Sequence, residues 1–186
     1  MPKKSNDRRV NRTHRRLHDA LMSLIHEKGF DAVTVQEILD RADVGRSTFY
    51  AHFMNKTDLL LGNLKAESFQ ILPEEGSAEI PSVAWIFVHA GENLALYRAL
   101  SGTEAMPHVY RNFNEGLQRN WRKLLKNMRA AGRQIALPEK AVAAYLSHAL
   151  IGLLVWWLDN RMPHSPEEMD SVFKNMAECG VNGKVA

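Results

Sequence analysis

The sequence predicts an all-α protein. Apolar residues recur at helical spacing along nearly the whole chain, no segment alternates as a half-buried strand would, and capping signals mark where helices begin. With 186 residues, 45% of them hydrophobic and 24% charged, the chain is long enough for one domain or for a small module joined to a larger one. Disorder is excluded on the same composition.

The first helix carries Leu17, Ala20, Leu21, Leu24 and Ile25 on one face and stops at Gly29, where a left-handed C′ residue suits glycine and Phe30 packs back on Ile25. The second opens on Thr34, with Glu37 completing a capping box and Val33 and Ile38 forming the hydrophobic staple. Ile38, Leu39 and Ala42 form its inner face. Asp43, Val44 and Gly45 make a tight turn into a third helix over residues 46–53, whose Phe49 and Phe53 point inward. A fourth helix opens on Asn55 and Asp58, stapled by Met54 and Leu59, with Leu60, Leu64 and Ile71 on its apolar face. The loop at residues 73–77, rich in Pro, Glu, Gly and Ser, divides a module at residues 10–70 from a body at 71–186. Residues 1–9 form a basic arm.

The body reads as four more helical stretches. Residues 81–100 carry Val83, Ile86, Phe87, Ala90, Leu94 and Tyr97, and residues 107–131 carry Phe113, Leu117, Trp121, Leu124, Leu125 and Met128, either as one helix or as two that meet at 112–114. Residues 138–160 are apolar nearly all round, and the last helix opens on Ser165, Pro166, Glu167 and Glu168, which supply an N-cap, an N1 proline and first-turn acids. The uncharged run 141–158 is near the lower length limit of a membrane span, but its Tyr145, Ser147, His148, Gly152 and alanines favour a buried helix. A helix apolar on all sides needs cover on all sides. The predicted cover is a second copy of the chain, with Leu146, Leu150, Leu153, Leu154, Trp157, Met169 and Phe173 at a two-fold, four-helix interface.

Charge is uneven. Residues 1–62 hold 11 basic and 8 acidic side chains, and the remainder holds 13 of each. Seven of the basic groups lie in the first sixteen residues, which points to a polyanionic partner at that end. The arm reads either as a disordered solubilising tail or as a segment that tracks the minor groove or flanking phosphates. A lone Cys179 excludes an internal disulfide framework and a multi-cysteine metal site. No apolar run of signal-peptide length follows the basic N-terminus, so the expected compartment is the cytoplasm.

Two short helices joined by a tight turn, over residues 33–52, match the DNA-reading helix-turn-helix. Arg46 starts the second of them, where side chains reach base edges, and arginine pairs bidentately with guanine O6 and N7. Ser47 and Ala51 are the adjacent groove-facing positions. Thr48, Tyr50, His52 and Lys56 carry donors spaced for a phosphate backbone, and Lys56 lies at a helix N-terminus.

These residues, together with Thr34, Val35, Ile38, Ala42, Val44, Phe49, Phe53, Leu59 and Leu60, resemble the N-terminal module of TetR/AcrR-type transcriptional regulators over residues 10–70. More weakly, Trp156, Trp157, Leu158 and Asp159 through Met169 look like the end of one C-terminal subclass. The resemblance implies a homodimer of about nine helices: a three-helix DNA-binding module and a larger domain for ligand binding and dimerisation. It implies that Arg46, Ser47 and Ala51 face bases and that Thr34, Thr48, Tyr50, His52 and Lys56 fall on phosphates. It further implies a ligand-responsive repressor on a near-palindromic operator in double-stranded DNA. Asp43 departs from the family's usual glycine, and Gly45 from its frequent serine cap.

His89, Asn93, Trp121 and His148 are candidates to orient a small-molecule effector in the body, or else ordinary core groups. No histidine spacing suits a metal, no cofactor is expected, and no nucleophile–base–acid arrangement suggests an enzyme. The basic stripe Arg119, Arg122, Lys123, Lys126, Arg129 and Arg133 reads as a solvated face or as a second anionic contact. The alternative function is a helical dimeric interaction protein, a co-activator or chromosome-associated factor, docking a protein partner on that stripe.

Overall fold

A computed structural model describes residues 3–63, 79–135 and 137–182, and their side chains except at 3–9, 63 and 182. The described residues form helices α1 (Lys3–Lys28), α2 (Val35–Ala42), α3 (Arg46–Tyr50), α4 (Lys56–Asn63), α5 (Ala84–Glu92), α6 (Leu94–Leu100), α7 (Met106–Ala130), α8 (Glu139–Asp159) and α9 (Pro166–Asn182), and no strand. They belong to two compact units. The first holds α1 to α4 and residues 95–110, and the second holds the rest. The expected boundary at residue 70, the loop at 73–77, Leu64 and Ile71 lie outside the described residues.

Three elements differ from expectation. The basic arm is not separate, because α1 runs back through it to Lys3. The stretch 81–100 is two helices, since Asn93 caps α5 at φ −104°, ψ 20° and α6 then packs in the first unit. The helix at 106–130 is unbroken at 112–114.

In the first unit α1 lays Leu17, Leu21, Leu24 and Ile25 against Ile38 and Leu39 of α2, Phe49 of α3, and Leu59 and Leu60 of α4. Leu100 and Ala105 close the same core. Gly29 ends α1 at φ +78°, with its N–H on the Ile25 carbonyl at 2.9 Å, and Phe30 behind it is fully buried.

The capping box at the start of α2 is complete. The Glu37 N–H donates to the Thr34 hydroxyl, and the Glu37 carboxylate accepts from the Thr34 N–H at 2.9 Å and from its hydroxyl at 2.7 Å. Lys28 of α1 also donates to that carboxylate. First the Lys28 ammonium, then the Thr34 donors, hold the Glu37 carboxyl down to about 2 from its ordinary 4.5. The folded chain therefore binds this proton less tightly than the unfolded chain does. The stabilisation is present above about pH 4.5 and is lost as pH falls toward 2. Thermal melts at pH 7, 4 and 3 are expected to show a smaller acid-induced drop for Glu37→Gln than for the unmutated chain; equal drops would refute the contribution.

In the second unit α5, α8 and α9 pack on one another. Phe87 meets Trp157 edge-on with ring centres 5.4 Å apart, and Trp121 of α7 lies 5.8 Å from Phe173. Asp170 is a buried carboxylate with its partners in place. It accepts from the Val83 N–H at 2.6 Å and from the Ser82 hydroxyl at 3.0 Å, and pairs with Lys174 at 3.2 Å. Ser165 and Glu168 form a second capping box at α9. By length and composition α8 could cross a membrane, yet half of its apolar window is buried by the chain's own helices.

The residues expected at a dimer interface are mostly inside. Leu146, Leu150, Trp157, Met169 and Phe173 are buried in this unit's own core, and Leu153 and Leu154 are only partly exposed. The five buried side chains are committed to that core. The apolar groups that α8 and α9 leave outside are Tyr145, Trp156, Val172 and Met176.

Candidate nucleic-acid interface

The helix-turn-helix is built from α2, a three-residue turn and α3. Asp43 occupies the left-handed region at φ 49°, ψ 55°, and its N–H returns to the carbonyls of Asp40 and Leu39. Aspartate tolerates this conformation better than most residues. Arg16 of α1 reaches the same residue, donating to the Asp43 carboxylate at 3.0 Å and to its carbonyl at 3.2 Å. Gly45 then precedes α3 at φ −67°, ψ 146° with no side-chain cap.

Only Phe49 of α3 is buried. Arg46, Ser47, Thr48 and Tyr50 of the same helix, and Ala51 and His52 just beyond it, are all exposed. A five-residue helix has little stability of its own. Phe49 and Phe53, with ring centres 5.8 Å apart, fasten it to the unit while the other side chains face outward. Among the outward groups, the Tyr50 ring lies edge-on to Phe49 at 5.2 Å and His52 lies edge-on to His14 of α1 at 4.8 Å.

Two residues expected on phosphates have their polar atoms engaged locally. The Thr34 hydroxyl and N–H are both used in the capping box. The Lys56 ammonium turns inward and donates to the carbonyls of Phe30, Asp31 and Val33 at 3.0, 3.1 and 3.1 Å. Two residues of this surface were missed in the sequence. Arg16 sits on Asp43, and Gln36 of α2 accepts from Arg46 at 2.7 Å. Their separations along the chain, 27 and 10 residues, match no local periodicity that would have revealed them.

The expected effector residues are not brought together. His89 and Asn93 are exposed on α5 and bond to each other, with the Asn93 amide also on the His89 carbonyl at 2.7 Å. His148 is exposed, and its Nδ1 lies 2.8 Å from the Ala144 carbonyl of its own helix. Trp121 alone is fully buried, and among the described residues its indole N–H has no hydrogen-bond partner. The basic stripe is divided as well. Arg129 pairs with Glu139 and Arg133 with Glu178, whereas Arg119, Lys123 and Lys126 face solvent.

The family model for bacterial regulatory proteins, tetR family, matches residues 17–62. That for a transcriptional regulator C-terminal region matches residues 81–179. The chain is similar to an uncharacterized HTH-type transcriptional regulator, YxbF, of Bacillus subtilis, 28% identical over 177 residues, which are 90% of this chain and 45% of that protein. It is 31% identical over 100 residues to the HTH-type transcriptional repressor KstR of Mycobacterium tuberculosis, covering 52% of this chain and 46% of that one. The chain thus spans about half the length of the curated relatives it matches. Among solved structures, a TetR transcriptional regulator from Streptococcus agalactiae superposes with a TM-score of 0.64 at 24% identity, covering 93% of this chain and 97% of that one, a likeness of fold.

Proposed function

Because the chain belongs to the tetR family of bacterial regulatory proteins, we propose that it is a sequence-specific DNA-binding transcriptional regulator that acts as a homodimer on a near-palindromic operator. One observation carries the reading: α3 keeps a single side chain in the core and directs Arg46, Ser47, Thr48 and Tyr50 outward, with Ala51 and His52 beside them. A helix so exposed, behind a left-handed turn, can enter a major groove N-terminus first. There Arg46, Ser47 and Ala51 meet base edges, and Thr48, Tyr50 and His52 meet the phosphates alongside.

The homodimer reading rests on α8 and α9. Tyr145, Gly152 and Trp156 recur at helical spacing on one exposed side of α8, and Val172 and Met176 do so on α9. That pair of apolar stripes suits a second copy of the chain. A small-molecule effector is supported by Trp121, since a buried N–H without an acceptor favours a polar ligand group beside it. Such a ligand would favour a dimer whose recognition helices no longer fit both half-sites, which makes the protein a repressor released by its ligand. The relative that is itself a repressor agrees with that sign.

The test is selection of fragmented host DNA at physiological salt, followed by titration of the recovered sites. Recovery of sites sharing an inverted repeat is expected. Arg46→Ala is expected to weaken binding to them by roughly 1–3 kcal/mol and to relax one base position in each half-site. Uniform recovery of fragments, or unchanged affinity in Arg46→Ala, would refute the placement of α3.

A further inference from the structure

Arg46 does not project alone. Its Nη2 donates to the Gln36 Oε1 at 2.7 Å, and the Gln36 Nε2 donates to the Asp40 Oδ1 at 2.8 Å. Gln36 and Asp40 are one turn apart on α2, so a carboxylate on one helix orients an amide that in turn holds the guanidinium of the next helix. The chain of bonds has a direction. Rotating the amide by half a turn would set its NH2 against the guanidinium and its oxygen against the carboxylate, two donors facing and two acceptors facing. Among the described residues one of the five guanidinium N–H groups is used, which leaves the others for a base.

We infer that Gln36 is a positioning residue for Arg46, one that restricts its guanidinium before DNA arrives and thereby sharpens discrimination at the base Arg46 meets. The inference rests on the proposed placement of α3 in the major groove. A surface arginine has many rotamers, and binding a base must select one of them. A side chain already restrained in the free protein loses less freedom on binding, and that saving is greatest where the base completes the geometry. Asp40 serves the same end one step back. Its carboxylate accepts from the amide NH2 and so fixes the amide oxygen toward Arg46.

The experiment compares the unmutated full chain with Gln36→Ala, Gln36→Met, Arg46→Ala and the Gln36→Ala/Arg46→Ala double variant. Each is titrated against the selected duplex and against duplexes changed at one base pair at a time. Gln36 is exposed, so the variants are expected to fold, and a thermal melt checks this. Gln36→Ala is expected to lower discrimination about threefold to tenfold at the base that Arg46→Ala relaxes. No further loss is expected when Arg46 is already alanine, and affinity for random duplex should be unchanged. Gln36→Met keeps the length of the side chain without its acceptor, and should behave as Gln36→Ala does. If Gln36→Ala relaxes a different base, or if the two losses add in the double variant, Gln36 reads DNA by itself and the inference is wrong. If Gln36→Ala leaves every base preference intact while Arg46→Ala does not, the inference also fails and the placement of α3 stands. If Arg46→Ala changes no base preference, the placement and the inference fall together.

Discussion

Phe49→Ala is expected to destabilise the first unit by about 3–5 kcal/mol and to abolish specific DNA binding. Phe49 is fully buried and is the one core residue of α3. Truncating its ring removes the apolar transfer energy and leaves a cavity in the core that it shares with Leu21, Ile38, Leu39 and Leu60. Against a total stability of about 5–15 kcal/mol for a domain, the loss takes a large share. Its effect on function should exceed the loss of folded protein. With five residues, α3 is too short to hold its own direction, and its contact with Phe53 would be gone too. Phe49→Leu keeps most of the volume and is expected to cost well under half as much. Urea unfolding followed by circular dichroism, alongside operator titration, measures both effects. An unchanged unfolding midpoint in Phe49→Ala would show that this ring is not in the core.

What could be read in the sequence was local. The Thr34–Glu37 box, the Gly29 stop and the inward Phe49 depend on residues within four positions of one another, and the helical period carries the rest of the all-α assignment. The break at Asn93 was not legible, because apolar residues keep helical spacing on both sides of it, and the nearby Gly91 lies inside α5 without the positive φ of a C′ glycine. The side of α8 that enters the core was not legible for the opposite reason. A helix apolar all round has no preferred face in its pattern. Packing against α5 and α9 draws Leu146, Leu150 and Trp157 inward and leaves Tyr145 and Trp156 about half exposed, at 49% and 45%. His89, Asn93 and His148 interrupt apolar stretches as polar groups inside a core would, yet on α5 and α8 these three mark the solvent side, and Trp121 alone of the four lies inside. At the DNA face the outward residues of α3 followed from Phe49 alone. The bonds of Arg16 and Gln36 join separate elements and needed the fold.

Lys56→Ala is expected to lower stability by about 1–3 kcal/mol without altering how DNA binding depends on salt. At the start of α4 this ammonium looks like a phosphate contact, yet its side chain is only 16% exposed. It is held by three carbonyls from the segment that leaves α1 and enters α2, and it lies 4.5 Å above the Phe30 ring. Three donors meet three acceptors, so the group has no N–H left for a further partner, and Glu104 at 3.7 Å balances its charge. Truncation would leave the half-buried Val33 carbonyl without that donor, at a cost of about 1–3 kcal/mol, while the Phe30 carbonyl keeps the Val33 N–H at 3.1 Å. Lys56→Arg should not rescue it, because a planar guanidinium cannot converge on three carbonyls as a tetrahedral ammonium can. The two roles differ in salt dependence. A lysine on a phosphate releases a counterion when it binds, so its removal lowers the slope of log affinity against log salt by about one for each such contact. A lysine inside the turn leaves the slope unchanged and moves the unfolding midpoint. Urea unfolding, with operator titration of the folded variant from 50 to 200 mM salt (the range in which such contacts are lost), separates them. A stable Lys56→Ala variant with a shallower slope would put Lys56 back on the DNA.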